Sequence, residues 1–187
     1  MKARRWCARF SPGSARPRRR AGNEGSWGIT IQEGDQAPAF DLPTATGRVA
    51  SAALTGKPYV IYFYPKDDTP GCTKEAIAFS ETYPEFQKLG VEVIGVSKDA
   101  ATSHDKFVKK HALCFPLGSD EAGSVVEAFG AWTEKSMYGK TYMGIDRSTF
   151  LVGPDGRIAR AWRGVKVPGH VEEVLEAARG LAAGKAA

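Results

Sequence analysis

Cys72 is the residue of this chain with the clearest chemical potential, because of what precedes it. The run Tyr62-Phe63-Tyr64-Pro65-Lys66-Asp67-Asp68-Thr69-Pro70-Gly71-Cys72-Thr73-Lys74-Glu75 passes from an apolar segment into a polar turn. Tyr59 to Tyr64 reads as a buried strand, and Pro65 ends it. Thr69 and Pro70 then suit the N-cap and first position of a helix. Cys72 therefore falls in the first helical turn, beside backbone N–H groups without intrahelical partners. A free thiol titrates near pH ~8.5, whereas the nucleophile is the thiolate. A helix N-terminus and a nearby guanidinium both favour the anion. A lone cysteine is as often a small buried hydrophobe, so spacing alone leaves both readings open.

The elements that must hold this thiol follow in order. Gly34 to Pro43 alternates polar and apolar residues with prolines, as an edge strand does, and Thr46-Gly47-Arg48 reads as a turn into a strand at 49–51. Gly56-Lys57-Pro58 punctuates before the central strand. After Cys72, Ala76, Phe79, Tyr83 and Phe86 recur at helical spacing, with Gly90 as the stop. A β-branched strand at 91–96, a helix at 101–112, an extended segment at 115–117 and a short helix at 121–130 come next. Residues 131–146 read as a long loop, followed by a strand at 149–152, a Pro154-Asp155-Gly156 turn and a strand at 158–162. A last helix, about 169–181, carries Val171, Val174, Leu175 and Ala178 on one face. Strands alternating with helices, then a hairpin and a helix, predict an α/β fold of the thioredoxin-like kind, a mixed sheet flanked by helices with an N-terminal β-hairpin.

The spacing Pro65-x-x-x-Thr69-x-x-Cys72 matches the active-site pattern of the peroxiredoxins, and YFYPKDDTPGCTKEA resembles their Q branch, also called bacterioferritin comigratory protein. The segments Trp132 to Tyr142 and Gly144-Ile145-Asp146-Arg147-Ser148-Thr149-Phe150-Leu151 are similar to the stretch leading to that branch's active-site arginine. The resemblance extends from about Ile29 to near the C-terminus. It implies a thiol-dependent peroxidase that reduces hydrogen peroxide and organic hydroperoxides through a sulfenic acid on Cys72. Thr69 would hydrogen-bond the thiolate and a peroxide oxygen, although a plain N-cap role would compete for its hydroxyl. Arg147 would stabilise the thiolate and the leaving oxygen, and Pro65 would shape the loop and keep water from the thiol. Glu75 reads as helix surface or a local acceptor, a supporting candidate only. A peroxide sensor or thiol-regulated binding protein is the alternative, using the same oxidation of Cys72.

The chain departs from the branch at one position. Many of its members carry a resolving cysteine five residues after the first, where this sequence has Ile77. Two routes then remain for reducing the sulfenic acid, the favoured one an external thiol: thioredoxin, glutaredoxin with glutathione, or a small thiol. Cys114 is a less favoured resolving candidate, since Leu113-Cys114-Phe115-Pro116 reads as a core segment.

Composition bounds the rest. At 187 residues, 42% hydrophobic and 25% charged, the chain has ordinary globular values and fits a single domain. Three cysteines fit a reducing compartment better than a disulfide framework, and the expected location is cytoplasmic. No stretch approaches the ~20 apolar residues of a membrane helix. The +5 net charge comes from the first twenty residues, which hold eight Lys and Arg and no acid; removing those eight leaves −3 for 21–187. Residues 1–28 are expected to be a disordered Arg-rich tail, incidental to a 29–187 peroxiredoxin domain, with a presequence as the competing reading. Cys7 is then a bystander. Nucleic-acid binding is not expected, and any would concern the tail alone. His104, His111 and His170 lack metal-ligand spacing and read as solvated, so no metal is implied, and the resemblance implies no haem or flavin. A monomer, or else a dimer, is expected.

Overall fold

The computed structural model describes residues 31–184; the expectations for Cys7 and the Arg-rich tail lie outside them. A five-stranded mixed sheet organises the chain. Its central strand β3 (Tyr59–Phe63) is buried at every position, as a continuous apolar run between two neighbours should be. On one side β3 pairs in parallel with β4 (Glu92–Ser97), which pairs in parallel with β5 (Leu117–Ser119). On the other it pairs antiparallel with β8 (Ser148–Val152), which pairs antiparallel with β9 (Ile158–Trp162).

Alternation along β3 divides the core in two. Val60 and Tyr62, with Tyr64 just beyond, face α1 (Pro70–Lys88), Phe107 of α2 (Ala101–His111), and α4 (His170–Ala182). Tyr59, Ile61 and Phe63 face the N-terminal hairpin of β1 (Asp41–Thr44) and β2 (Gly47–Ala50), together with α3 (Ser124–Ala128). The predicted stripe of α4 is the one it buries: Val171, Val174, Leu175 and Ala178. Helix α1 continues through Pro84, its periodicity outweighing one lost hydrogen bond.

Residues 131–146 are not a loop but chiefly a hairpin of β6 (Trp132–Met137) and β7 (Lys140–Ile145). Its two-residue turn, Tyr138 and Gly139, has φ 53° and 75°, the left-handed pair that matches strand twist. The strands are polar and largely exposed, so they lack the apolar alternation by which a strand is recognised.

Candidate active site

The register of the sheet determines which residues meet at the head of α1. Phe63 of β3 lies opposite Ser148 of β8, so Arg147 arrives at the C-terminal end of β3, where the loop into α1 begins. Its backbone carbonyl accepts a hydrogen bond from the Val165 N–H at 2.9 Å, which anchors the turn. The side chain is 16% exposed and reaches across to α1. There Nη2 donates to Cys72 Sγ at 3.3 Å, and Nη1 pairs with Glu75 Oε2.

Cys72 occupies the third position of α1. Thr69 at the N-cap is extended, Pro70 opens the helix, and the first intrahelical bond runs from the Thr73 N–H to Thr69 O at 2.8 Å. Cys72 is only 2% exposed, yet its sulfur is not sealed in hydrocarbon, because the guanidinium contacts it. Gly71 permits that approach: a Cβ there would lie 3.3 Å from Arg147 Nη2.

Glu75 is fully buried, one helical turn from Cys72, and not on the helix surface as its polarity suggested. Burial pushes its carboxyl up to about 7, against the lowering influence of Arg147. Its second oxygen, Oε1, is buried without a hydrogen-bond partner. The predicted Cys72, Arg147 and Glu75 thus come together.

Thr69 and Pro65 sit at the same loop with less direct geometry. The Thr69 hydroxyl donates to Lys66 O at 3.1 Å; it neither caps α1 nor hydrogen-bonds Cys72 among the described residues. Its hydrogen is committed to that carbonyl, so the oxygen is left as an acceptor. Pro65 is exposed just after β3. Cys114 lies elsewhere: its backbone N–H donates to Ser80 Oγ at 3.1 Å, two turns along α1 from Cys72, and neither cysteine is in a disulfide.

Two histidines expected in solvent are inside. His104 is fully buried, its Nδ1 2.8 Å from Asp67 Oδ2. His170 is 4% exposed and shares a 2.8 Å hydrogen bond between Nε2 and Thr149 Oγ1. Burial lowers its pKa to about 4, which keeps it neutral near pH 7. Both lie on the inward stripe of their helix, His104 one turn before Phe107 and His170 beside Val171 and Val174. That stripe was the available signal, since a residue's place on it decides burial more than its polarity does. No group of three or more His, Cys, Asp or Glu among the described residues could hold a metal ion.

The profile of the AhpC/TSA family matches residues 33–161. The chain is 47% identical over 148 residues to the putative peroxiredoxin bcp of Coxiella burnetii, covering 79% of this chain and 98% of that one. It is 48% identical over 144 residues to peroxiredoxin Bcp of Xanthomonas campestris, covering 75% and 90%. A structure of the Xanthomonas campestris bacterioferritin comigratory protein, solved in a study of its alkyl peroxide reduction, superposes with a TM-score of 0.74 at 46% identity, over 76% of this chain and 92% of that one. A cysteine-to-serine mutant of Xylella fastidiosa PrxQ superposes with a TM-score of 0.77 at 40% identity, over 82% and 98%. The fold is therefore thioredoxin-like, as the element order predicted. With the family profile spanning more than half the sequence and these relatives matched over nearly their whole length, the chain belongs to the AhpC/TSA family and is a peroxiredoxin, a thiol-dependent peroxidase.

Proposed function

We propose that Cys72 is the thiol that attacks the peroxide. The carrying observation is the 3.3 Å contact between Arg147 Nη2 and Cys72 Sγ at the first turn of α1. The guanidinium attracts negative charge on the sulfur and then on the departing oxygen, without reorganising between the two. The thiolate forms an S–O bond with one peroxide oxygen as the O–O bond breaks. Sulfur loses two electrons, the other oxygen takes a proton and leaves as water or alcohol, and Cys72 becomes a sulfenic acid. Thr69, whose oxygen is left as an acceptor, orients the peroxide's proton, and Pro65 sets the turn from which the loop starts.

An external thiol completes the cycle: thioredoxin, glutaredoxin with glutathione, or a small thiol. It displaces water from the sulfenic sulfur to give a mixed disulfide, and a second thiol releases reduced Cys72. Ile77 at the fifth residue beyond Cys72, and Cys114 two helical turns away, both favour this route. Hydrogen peroxide and alkyl hydroperoxides are the substrates, and a reducing compartment such as the cytoplasm suits the chemistry. No helix among the described residues is long and apolar enough to cross a membrane.

The test compares peroxide consumption by the intact chain and by Cys72→Ser, with a thiol reductant in excess. The variant should be inactive; equal rates would end the assignment of Cys72.

A further inference from the structure

The loop between β3 and α1 is fastened to α2 by a buried polar cluster that the peroxidase chemistry does not use. Asp67 is 8% exposed and its carboxylate has three side-chain partners. Tyr64 Oη donates to Oδ1 at 2.7 Å, Ser103 Oγ donates to Oδ2 at 2.8 Å, and His104 Nδ1 lies 2.8 Å from Oδ2. The Asp67 N–H donates to Asp99 Oδ2 at 2.8 Å, just beyond the end of β4. Burial alone would push the Asp67 carboxyl up; the hydrogen bonds from His104, Tyr64 and Ser103 outweigh it and hold the group below the usual range, hence ionised. Asp68, the next residue, takes the left-handed φ of 58°, and its carboxylate pairs with Lys110 and His111 of α2. Two consecutive loop residues are thus tied to both ends of one helix.

A buried polar cluster around a carboxylate is weak evidence for stability, because desolvation offsets much of the attraction. His104 Nε2, moreover, is buried without a partner, a further cost that an apolar side chain would avoid. What such a cluster supplies is one defined conformation, and here the conformation is that of the residues leading into α1. Lys66 O receives the Thr69 hydroxyl, and Thr69 O receives the Thr73 N–H that starts the helix. Cys72 lies between those last two residues.

We infer that Asp67 and His104 are positioning residues for peroxide attack: the pair latches α2 to the β3–α1 loop and so sets the geometry of the first turn of α1 around Cys72. This rests on Cys72 being the attacking thiol. Displacement of a reacting atom by about 1 Å can slow a reaction ~100-fold, so loosening the latch slows peroxide attack. Alkylation, which needs only an accessible thiolate, is not slowed in step.

The experiment measures, for reduced protein well below each variant's thermal midpoint, the rate of Cys72 oxidation by hydrogen peroxide and the rate of its alkylation by iodoacetamide. The readout is their ratio, which a general loss of stability leaves alone. Asp67→Asn and His104→Leu should lower the ratio about tenfold, while His104→Asn, whose amide can replace the Nδ1 donor, should restore most of it. A ratio within about threefold of the intact protein in both, or no recovery in His104→Asn, overturns the latch. Should these variants fail to fold, Ser103→Ala removes one hydrogen bond to Asp67 with little change in volume. It should lower the ratio at least about twofold, and an unchanged ratio overturns the inference. Peptide masses separate the two readings: peroxide oxidation at Cys114 instead of Cys72 removes the underlying assignment, whereas oxidation at Cys72 with unaltered ratios removes the latch alone.

Discussion

Glu75 and His170 are buried ionisable residues whose shifts oppose each other. Glu75 is raised by burial to about 7. Between pH ~4.5 and ~7 the folded chain holds a proton there that the unfolded chain has lost, so this residue makes stability fall as pH rises through that window. His170 is lowered by burial to about 4. Between pH ~4 and ~6.5 the unfolded chain holds a proton that the folded one lacks, so His170 makes stability rise with pH. Each slope is at most ~1.4 kcal/mol per pH unit, and over pH ~4.5 to ~6.5 they largely cancel. Urea unfolding of Glu75→Gln should therefore show stability climbing from pH 4.5 to 6.5 more steeply than in the intact protein, by up to about 1 kcal/mol per unit. His170→Gln should show the opposite tilt. Parallel pH profiles for all three proteins would mean that Glu75 and His170 do not titrate as their burial dictates. Glu75→Gln should also slow peroxide reduction, since the Arg147 guanidinium loses the carboxylate that aims it at the sulfur.

At the scale of elements, the proposed role of Cys72 couples helix formation at the head of α1 to the chemistry. Gly71 has no left-handed φ to protect and lies in the first helical turn, where alanine is the better helix former, by up to about 1 kcal/mol. Its new methyl group would nevertheless stand 3.3 Å from Arg147 Nη2, so the guanidinium would have to give way by a few tenths of an ångström. Gly71→Ala should thus keep or raise the thermal midpoint while lowering the rate of Cys72 oxidation about threefold to tenfold. An unchanged rate would show that the guanidinium contact tolerates the shift. The helix itself was legible in the sequence: Thr69 and Pro70 marked its start, and Ala76, Phe79, Tyr83 and Phe86 its buried face. So was β3, whose apolar run is the pattern of a strand covered on both faces. The β6–β7 hairpin was not, because Thr133, Glu134, Lys135 and Ser136 carry no buried face from which a period could be read. Nor was the burial of Glu75, which depends on an arginine from a distant strand turn.

Across the whole molecule the site is a product of long-range pairing, and this limited what the linear pattern could reveal. Arg147 reaches Cys72 through the antiparallel register of β3 and β8, and Asp67 meets His104 through the crossover from β3 to β4 and on into α2. Local periodicity holds no record of either; only the resemblance of the Arg147 segment to a family motif anticipated the first, and nothing anticipated the second. With Cys72 as the proposed attacking thiol, the same architecture bears on how its oxidised form would be resolved. Cys114 follows α2 and is tied through its N–H to Ser80, eight residues along α1 from Cys72. At ~1.5 Å per residue that is ~12 Å of helix, well beyond the ~7 Å Cα separation a disulfide can span. To join, α1 would have to unwind through Ala76 and Phe79, both buried against the sheet. Peroxide added without thiol should therefore give a sulfenic acid on Cys72 that dimedone traps in full, with no Cys72–Cys114 linkage by peptide mass. Cys114→Ser should keep at least about half the turnover with an external thiol, since half-buried Cys114, tied to Ser80, lies outside the reacting group. A prompt Cys72–Cys114 disulfide, formed faster than dimedone reacts, would mean that the first two turns of α1 open on oxidation and that the enzyme resolves itself.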